Sequence, residues 1–239
     1  MNAQVEAASR PAMVLDAGQS LGQIAVGLPG ATAVFRRHKL DFCCGGQVSL
    51  AQAAAEKGLD ARAVLEELAG LQRPAAAPAA TDPPALIDHI LARYHEVHRQ
   101  QLPELIRMAH RVEAVHRAHP RVPAGLGDQL EAMHAELLSH MQKEEQILFP
   151  MLRSGGHPFA HQPIGVMRAE HVAHGATLEK LAAMTDDVTP PADACNTWRA
   201  LYAGLDQLRD DLMEHIHLEN NLLFPQFEQA RGEPACGCH

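Results

Sequence analysis

Apolar residues recur at helical spacing along most of the chain. A small helical module is predicted over about residues 13–72, where two adjacent glycines, Gly45 and Gly46, break the pattern. Four longer segments follow, separated by Pro and Gly near residues 119–123, 154–163 and 185–194. This spacing predicts helices over roughly residues 85–118, 124–152, 163–185 and 195–229.

The stretch from residue 73 to residue 84 is dominated by Pro and Ala, and it is predicted to be an interdomain linker. The four long helices would then form a second domain over residues 85–230. Because their connections are short, neighbouring helices should run antiparallel, which predicts an all-α fold with an up-down-up-down four-helix bundle. A tail over residues 231–239 ends the chain with Cys236-Gly237-Cys238-His239.

An internal repeat relates the second and fourth long helices. The second carries His140-x3-Glu144 and continues to Ile-Leu-Phe-Pro at residues 147–150. The fourth carries His215-x3-Glu219 and continues to Leu-Leu-Phe-Pro at residues 222–225. The matching spacing indicates a duplicated helical hairpin and a bundle with pseudo-two-fold symmetry.

The repeated motif has the spacing of a metal-binding pair. Residues four apart lie on the same face of a helix, so each His and Glu can reach one point. The first and third helices add one histidine each. Four imidazoles and two carboxylates suit two iron ions better than one zinc ion, and Glu144 and Glu219 are predicted to bridge them. The predicted ligands are His95, His140, Glu144, His171, His215 and Glu219.

Four further residues lie close to these ligands in sequence. Glu136, four positions before His140, is expected to point into the bundle, where with Glu170 it would line a proton or iron path or bond an imidazole. His98 and His174 occupy equivalent positions of the repeat and are candidates for an additional ligand or a hydrogen-bond partner. Three histidines are predicted to lie off the site on solvated helix faces: His116, His134 and His217.

Composition narrows the function classes. The chain contains 16 histidines, far above ordinary usage, which supports a metal site. A net charge of −9 without clustered Lys and Arg argues against nucleic-acid binding. There is no run of about 18 apolar residues to cross a membrane and no secretory signal, so a cytoplasmic protein is expected.

Cys43 and Cys44 stand apart from the other cysteines. Adjacent side chains are expected to point apart, which would make the pair poor ligands for a single metal ion. The basic residues at positions 36–39 are expected to favour thiolates. Redox exchange, partner contact and transient iron capture remain open, as does burial as two small apolar residues.

The motifs taken together resemble a known family. They are Asp41-Phe-Cys-Cys-Gly-Gly46, Arg93-Tyr-His95 with Gln101-Leu-Pro-Glu-Leu105, Ser139 to Pro150 with its Glu-Glu-Gln-Ile-Leu-Phe-Pro ending, Glu170-His171, and His215 to Pro225. The chain resembles bacterial iron-sulfur cluster repair di-iron proteins, the repair-of-iron-centres family, from about residue 15 to residue 227.

This resemblance implies a haemerythrin-like bundle with two bridged non-haem iron ions, held by the six ligands named above. It implies repair of iron-sulfur clusters damaged by oxidative or nitrosative stress, by iron donation to iron-sulfur proteins. Reduction of nitric oxide at the di-iron centre and binding or sensing of dioxygen are the alternatives. The family also has a histidine at the position of His116.

Overall fold

The structure is a computed structural model that describes residues 14–28, 30–71, 82–156 and 159–228. The described residues form α-helices and π-helices, and their one β-type contact is an isolated bridge between Ser20 and Ser49. The chain divides into two units, residues 1–78 and residues 79–239. None of the described helices is long and apolar enough to cross a membrane.

The described residues of the first unit form four short helices. Each of three begins after a polar side chain that accepts a backbone N–H: Ser20, Ser49 and Asp60. Its core includes the packed rings of Phe35 and Phe42, with centroids 5.9 Å apart. The helices are α1 (Leu21–Gly27), α2 (Ala31–Arg37), α3 (Leu50–Glu56) and α4 (Ala61–Ala69).

The second unit is a bundle of four helical rods, residues 83–115, 126–153, 161–184 and 196–228. The first and third rods each pack against the second and fourth, as in an up-down-up-down bundle. The elements are α5 (Pro83–Ile90), π1 (Leu91–His95), α6 (Glu96–Val115), α7 (Leu126–Lys143), π2 (Glu144–Leu148), α8 (Phe149–Arg153), α9 (His161–Met184), α10 (Asn196–His217), π3 (Leu218–Leu223) and α11 (Pro225–Glu228). The all-α prediction is confirmed.

The start of the first rod differs from the sequence prediction. Pro83 and Pro84 were assigned to the linker, but they form the first turn of α5. Asp82 caps this helix, since its Oδ2 accepts the N–H of Ala85 at 3.3 Å. Proline is tolerated in a first turn because the N–H groups there have no helical partner. The other end of this rod stops at Val115, short of the predicted residue 118.

Three π-helical segments, which the sequence analysis did not predict, interrupt the rods. π1 ends at His95, π2 begins at Glu144, and π3 contains Glu219. A π-turn takes up an extra residue and so shifts the face that the following residues present. The three segments therefore set the direction of half of the predicted ligands.

A cluster of apolar side chains closes the bundle beside these segments. It gathers residues from all four rods, and most are fully buried. Members from the repeated motif are Leu148, Phe149, Leu223 and Phe224. The Leu and Phe residues of the duplicated Leu-Phe-Pro sequence thus form part of the core that packs next to the predicted ligands.

Candidate metal centre

The six predicted ligand side chains meet inside the bundle. They fall into two groups of four, in each of which the ligand atoms all lie within 4.8 Å of one another. Each of the six residues is at most 1% exposed. The first group is His95, Glu144, His215 and Glu219, and the second is His140, Glu144, His171 and Glu219.

The two glutamates belong to both groups, and each divides its oxygens between them. Glu144 places Oε2 at 3.3 Å from Nε2 of His95 and Oε1 at 3.3 Å from Nε2 of His140. Glu219 places Oε1 at 3.2 Å from Nε2 of His215 and Oε2 at 3.1 Å from Nε2 of His171. One oxygen in each group is the arrangement that a carboxylate needs to bridge two metal ions.

The positions of the donor atoms are explained better by a shared cation than by hydrogen bonds among the side chains. Both carboxylate oxygens of Glu144 and Oε2 of Glu219 are buried and make no hydrogen bond among the described residues, although imidazole nitrogens lie close by. Two donors bound at about 2.1 Å and at right angles are about 3.0 Å apart, close to the distances seen here. The atoms thus converge on shared points, as ligands of a common ion do.

The pKa values show how strongly these charges interact. Burial opposes a charged His140, but the attraction of the Glu144 carboxylate, with smaller contributions from Glu219 and from the hydrogen bond to Glu170, outweighs it and raises the pKa of His140 to about 9. Burial and Glu219 oppose a charged Glu144, yet the neighbouring imidazoles lower its pKa. Burial, helped by the charge on His95, holds the pKa of His215 well below its usual value. Protons on the neighbouring imidazoles offset the negative charges of the buried carboxylates. Metal ions can offset the same charges in place of these protons.

Three of the four imidazoles are held by a hydrogen bond at Nδ1. His95 donates to Oε1 of Glu145 at 2.7 Å. His171 donates to Oδ1 of Asn220 at 2.9 Å, and His140 donates to Oε2 of Glu170 at 2.8 Å. A proton on Nδ1 leaves the lone pair of Nε2 directed at the centre.

Glu145 and Asn220 were missed by the sequence analysis. Both directly follow a glutamate of the repeated His-x3-Glu motif, so they occupy equivalent positions. Their equivalent positions in the repeat were the signal by which the sequence could have identified them. It was weak because one residue is a carboxylic acid and the other an amide.

The phenylalanines of the repeated motif pack against two of the candidate ligand imidazoles. Phe149 stacks on His95 with ring centroids 5.7 Å apart, and Phe224 stacks on His171 with centroids 6.0 Å apart. These rings fix the orientation of the two histidines that come from the first and third rods. The repeat therefore supplies ligands and their packing partners together.

His98 and His174 are buried beside the centre but belong to neither ligand group. His98 lies against His215 and His174 against His140, with ring centroids 5.6 Å and 4.9 Å apart. None of their ring nitrogens has a hydrogen-bond partner among the described residues. Burial, together with the adjacent imidazoles, lowers the pKa of His98 to about 3 and that of His174 to about 4.

The expectation that Glu136 points into the bundle is wrong, because its side chain is exposed. His140 lies at the edge of the buried stripe of α7, and a residue four positions earlier is rotated about 40° further outward. Glu170 lies at the rim, with its side chain 28% exposed, and it also binds Lys143.

The histidines predicted to lie off the site do so, but one of them is not solvated. His217 is 2% exposed and its Nδ1 lies 2.9 Å from the side-chain nitrogen of Asn221. His116 lies beyond the end of α6, where its Nε2 is 3.1 Å from Sγ of Cys195. Neither belongs to a ligand group, so the structure gives no support for metal ligation by His116.

The paired cysteines contradict two expectations. Their side chains do not point apart, since the Sγ atoms of Cys43 and Cys44 are 3.7 Å apart. The pKa of the Cys43 thiol is not lowered but raised, by its hydrogen bond to Cys44, by burial and by the charges of Cys44 and Asp41. Arg37 and His38, which were expected to favour a thiolate, both bind Glu67 instead. The tail cysteines, Cys236 and Cys238, lie outside the described residues.

Comparison with known proteins agrees with this arrangement. Residues 86–227 match the hemerythrin HHE cation binding domain, and residues 17–72 match ScdA_N, a domain of unknown function. The iron-sulfur cluster repair protein YtfE of Citrobacter koseri is 52% identical over 210 residues, which is 87% of this chain and 96% of the relative. The proteins of the same name from Escherichia coli O17:K52:H18 and Escherichia fergusonii are each 51% identical over the same shares.

Proposed function

The chain belongs to the family of YtfE-type iron-sulfur cluster repair proteins with a hemerythrin-like domain, and from that premise we propose that it donates iron to damaged iron-sulfur clusters. The metal would be a pair of iron ions, one in each ligand group, bridged by Glu144 and Glu219. The observation that carries this proposal is the division of each carboxylate between the two groups.

The bound irons would supply redox chemistry and positions for small ligands. The protein contributes four donor atoms to each group, whereas iron commonly accepts six. A site with protein ligands at only four positions holds its ions less completely than a closed site does, which favours release. The partners would be iron-sulfur proteins with damaged clusters. We place this activity in the cytosol, where Cys43, Cys44 and Cys195 stay reduced as they are here.

The residues around the ligands prepare the site before metal arrives. Glu145, Asn220 and Glu170 hold the Nδ1 protons, so three Nε2 atoms face inward in the correct tautomer. Phe149 and Phe224 exclude water from one side. Metal uptake must displace protons from the histidine–glutamate contacts, which makes iron binding dependent on pH.

The test is reactivation of a hydratase whose iron-sulfur cluster has been destroyed by nitric oxide. The reduced, iron-loaded protein should restore hydratase activity, and a Glu144→Leu/Glu219→Leu variant incubated with the same total iron should not. No recovery with the parent protein, or equal recovery with the variant, would reject iron donation. Circular dichroism would establish that the variant keeps its helices.

The open positions also favour a second candidate, the binding of nitric oxide or dioxygen at the same pair of ions. Production of nitrous oxide from nitric oxide by the reduced protein would identify a reductase. A reversible spectral change with dioxygen would identify a binding or sensing protein. Either activity should disappear in the Glu144→Leu/Glu219→Leu variant.

A further inference from the structure

The loop between α2 and α3 brings three potential ligand atoms together within the first unit. The Sγ atoms of Cys43 and Cys44 are 3.7 Å apart, and Sγ of Cys43 lies 3.2 Å from Oδ1 of Asp41. The ligand atoms of these three residues all lie within 4.8 Å of one another. The matching family model covers this segment as a domain of unknown function.

The backbone of the loop holds this arrangement in place. Oδ1 of Asp41 accepts the N–H groups of Cys43 and Cys44 at 3.2 and 2.9 Å, and Oδ2 accepts the N–H of Gly45 at 2.9 Å. A side chain at position 45 would place its Cβ 3.1 Å from the backbone oxygen of Asp41, so a larger residue there would crowd the turn. Phe42, which lies between Asp41 and Cys43 in the sequence, is fully buried and anchors the loop in the core.

The sulfur–sulfur distance matches a known coordination geometry. The two residues do not form a disulfide, which would require a separation of about 2.05 Å. Two sulfurs bound at about 2.3 Å to a tetrahedral ion are about 3.8 Å apart. The observed 3.7 Å is therefore the separation that chelation by both sulfurs requires.

We propose that this loop binds a thiophilic divalent cation through the thiolates of Cys43 and Cys44 and a carboxylate oxygen of Asp41. The fourth tetrahedral position is left for a ligand from outside the chain. Asp41 is exposed and Cys44 is partly exposed, so an ion can approach from solvent. Binding forms two metal–sulfur bonds and releases the two thiol protons to solvent, with no change in oxidation state.

The local charges agree with a cation site. The carboxylate of Asp41 lies 3.2 Å from Sγ of Cys43, so its negative charge faces the thiols. A divalent ion bound among the three groups would offset the repulsion between this carboxylate and the thiolates. The guanidinium of Arg37, earlier in the chain, is paired with Glu67 instead.

The proposal can be tested with Co²⁺ as a spectroscopic probe. The full chain carrying Cys236→Ser and Cys238→Ser, which removes the tail thiols, would be stripped of metal and titrated without air. Nitrogen and oxygen ligands in the bundle give no thiolate-to-cobalt charge-transfer band, so that band reports on thiols alone. We expect an intense near-ultraviolet band whose limiting intensity corresponds to one thiolate-bound ion per chain and which is displaced by Zn²⁺.

Substitutions then locate the site. Cys43→Ser and Cys44→Ser should each weaken the affinity measured from this band at least tenfold, while Cys195→Ser should leave it unchanged. Absence of the band in the parent, or an unchanged affinity in either loop variant, would overturn the proposal. In the unsubstituted chain, Zn²⁺ should protect Cys43 and Cys44 from alkylation, as measured by mass spectrometry of the loop peptide. Equal alkylation with and without Zn²⁺ would also overturn it.

Discussion

Tyr94 stacks on His215, with ring centroids 5.5 Å apart and planes inclined by 7°. In the other half of the bundle the equivalent position, directly before a ligand histidine, is Glu170, which accepts a hydrogen bond from His140. Nδ1 of His215 accordingly has no partner among the described residues. The duplicated hairpin therefore gives equivalent candidate ligands with unequal support, and the two proposed metal positions should differ in affinity.

The hydrogen bond from His140 to Glu170 should contribute to metal retention. Replacing Glu170→Gln removes the negative charge that increases the basicity of the imidazole, and loss of such a partner typically costs about 10- to 100-fold in affinity. Competition with a chromogenic iron chelator would measure it. Glu136→Gln is the matched control, because Glu136 is exposed on the neighbouring face, and its affinity should not change. Equal effects of the two substitutions would contradict this assignment.

Glu145 should have the corresponding role for His95. It accepts the Nδ1 proton at 2.7 Å and is itself held by Arg99 at 2.6 Å. Glu145→Gln is expected to weaken iron binding by about tenfold. Glu96→Gln, one residue beyond His95 but exposed, should have no effect in the same chelator competition. If Glu145→Gln retains parental affinity, orientation of His95 depends on its stacking with Phe149 alone.

Metal removal should destabilise the bundle. Ions that bind only the folded protein add about 2.7 kcal/mol to the free energy of unfolding when present at 100 times their dissociation constant. Treatment with a chelator should therefore lower the melting temperature followed by circular dichroism. The Glu144→Leu/Glu219→Leu variant lacks both proposed bridges, so the chelator should lower its melting temperature less than that of the parent. An equal shift in the two proteins would place the stabilising metal elsewhere.

Much of the centre could be predicted from the sequence because its chemistry is local. His140 and Glu144, like His215 and Glu219, are one helical turn apart, so spacing alone brings each pair to one face. The repeat then related the two pairs. His95 and His171 followed because each intervening helix had to face the same interior. The structure brings all six together, although their roles as ligands remain a proposal.

The parts that could not be predicted depend on backbone details. The π-segments at His95, Glu144 and Glu219 leave no mark in an apolar pattern, because one extra residue in a turn looks like ordinary variation. Glu136 was misplaced because a residue at the edge of a buried stripe was treated as its centre. The Cys43–Cys44 geometry depends on Asp41 folding the loop back on itself, which sequence distance does not reveal.

The reactivity of Cys43 should depend on its neighbour. The hydrogen bond with Cys44 is the largest cause of the raised pKa of Cys43, so the reactive thiolate forms only at higher pH. Cys44→Ala should therefore shift the pH midpoint of Cys43 alkylation downward. The rate of iodoacetamide labelling, measured by mass spectrometry of the metal-free protein, reports this midpoint. Burial slows the alkylation of Cys43 in both the parent and the variant, so the pH midpoint and not the rate is compared. An unchanged midpoint would contradict the assigned cause.

Phe224 should couple the core to the metal centre. It is fully buried, stacks on His171 with planes 1° apart, and carries the guanidinium of Arg168 5.6 Å from its ring centre. Phe224→Ala should cost about 3–5 kcal/mol in the free energy of unfolding, because it leaves a cavity in the core. It should also reduce the iron bound per chain, since His171 loses the surface that orients it. Phe159→Ala makes the same substitution at a residue that is 62% exposed, and it should change stability by no more than about 0.5 kcal/mol. Chemical denaturation of both variants would measure the effect on stability, and metal analysis would measure the effect on iron occupancy. Full iron occupancy in folded Phe224→Ala would show that His171 is held by Asn220 alone.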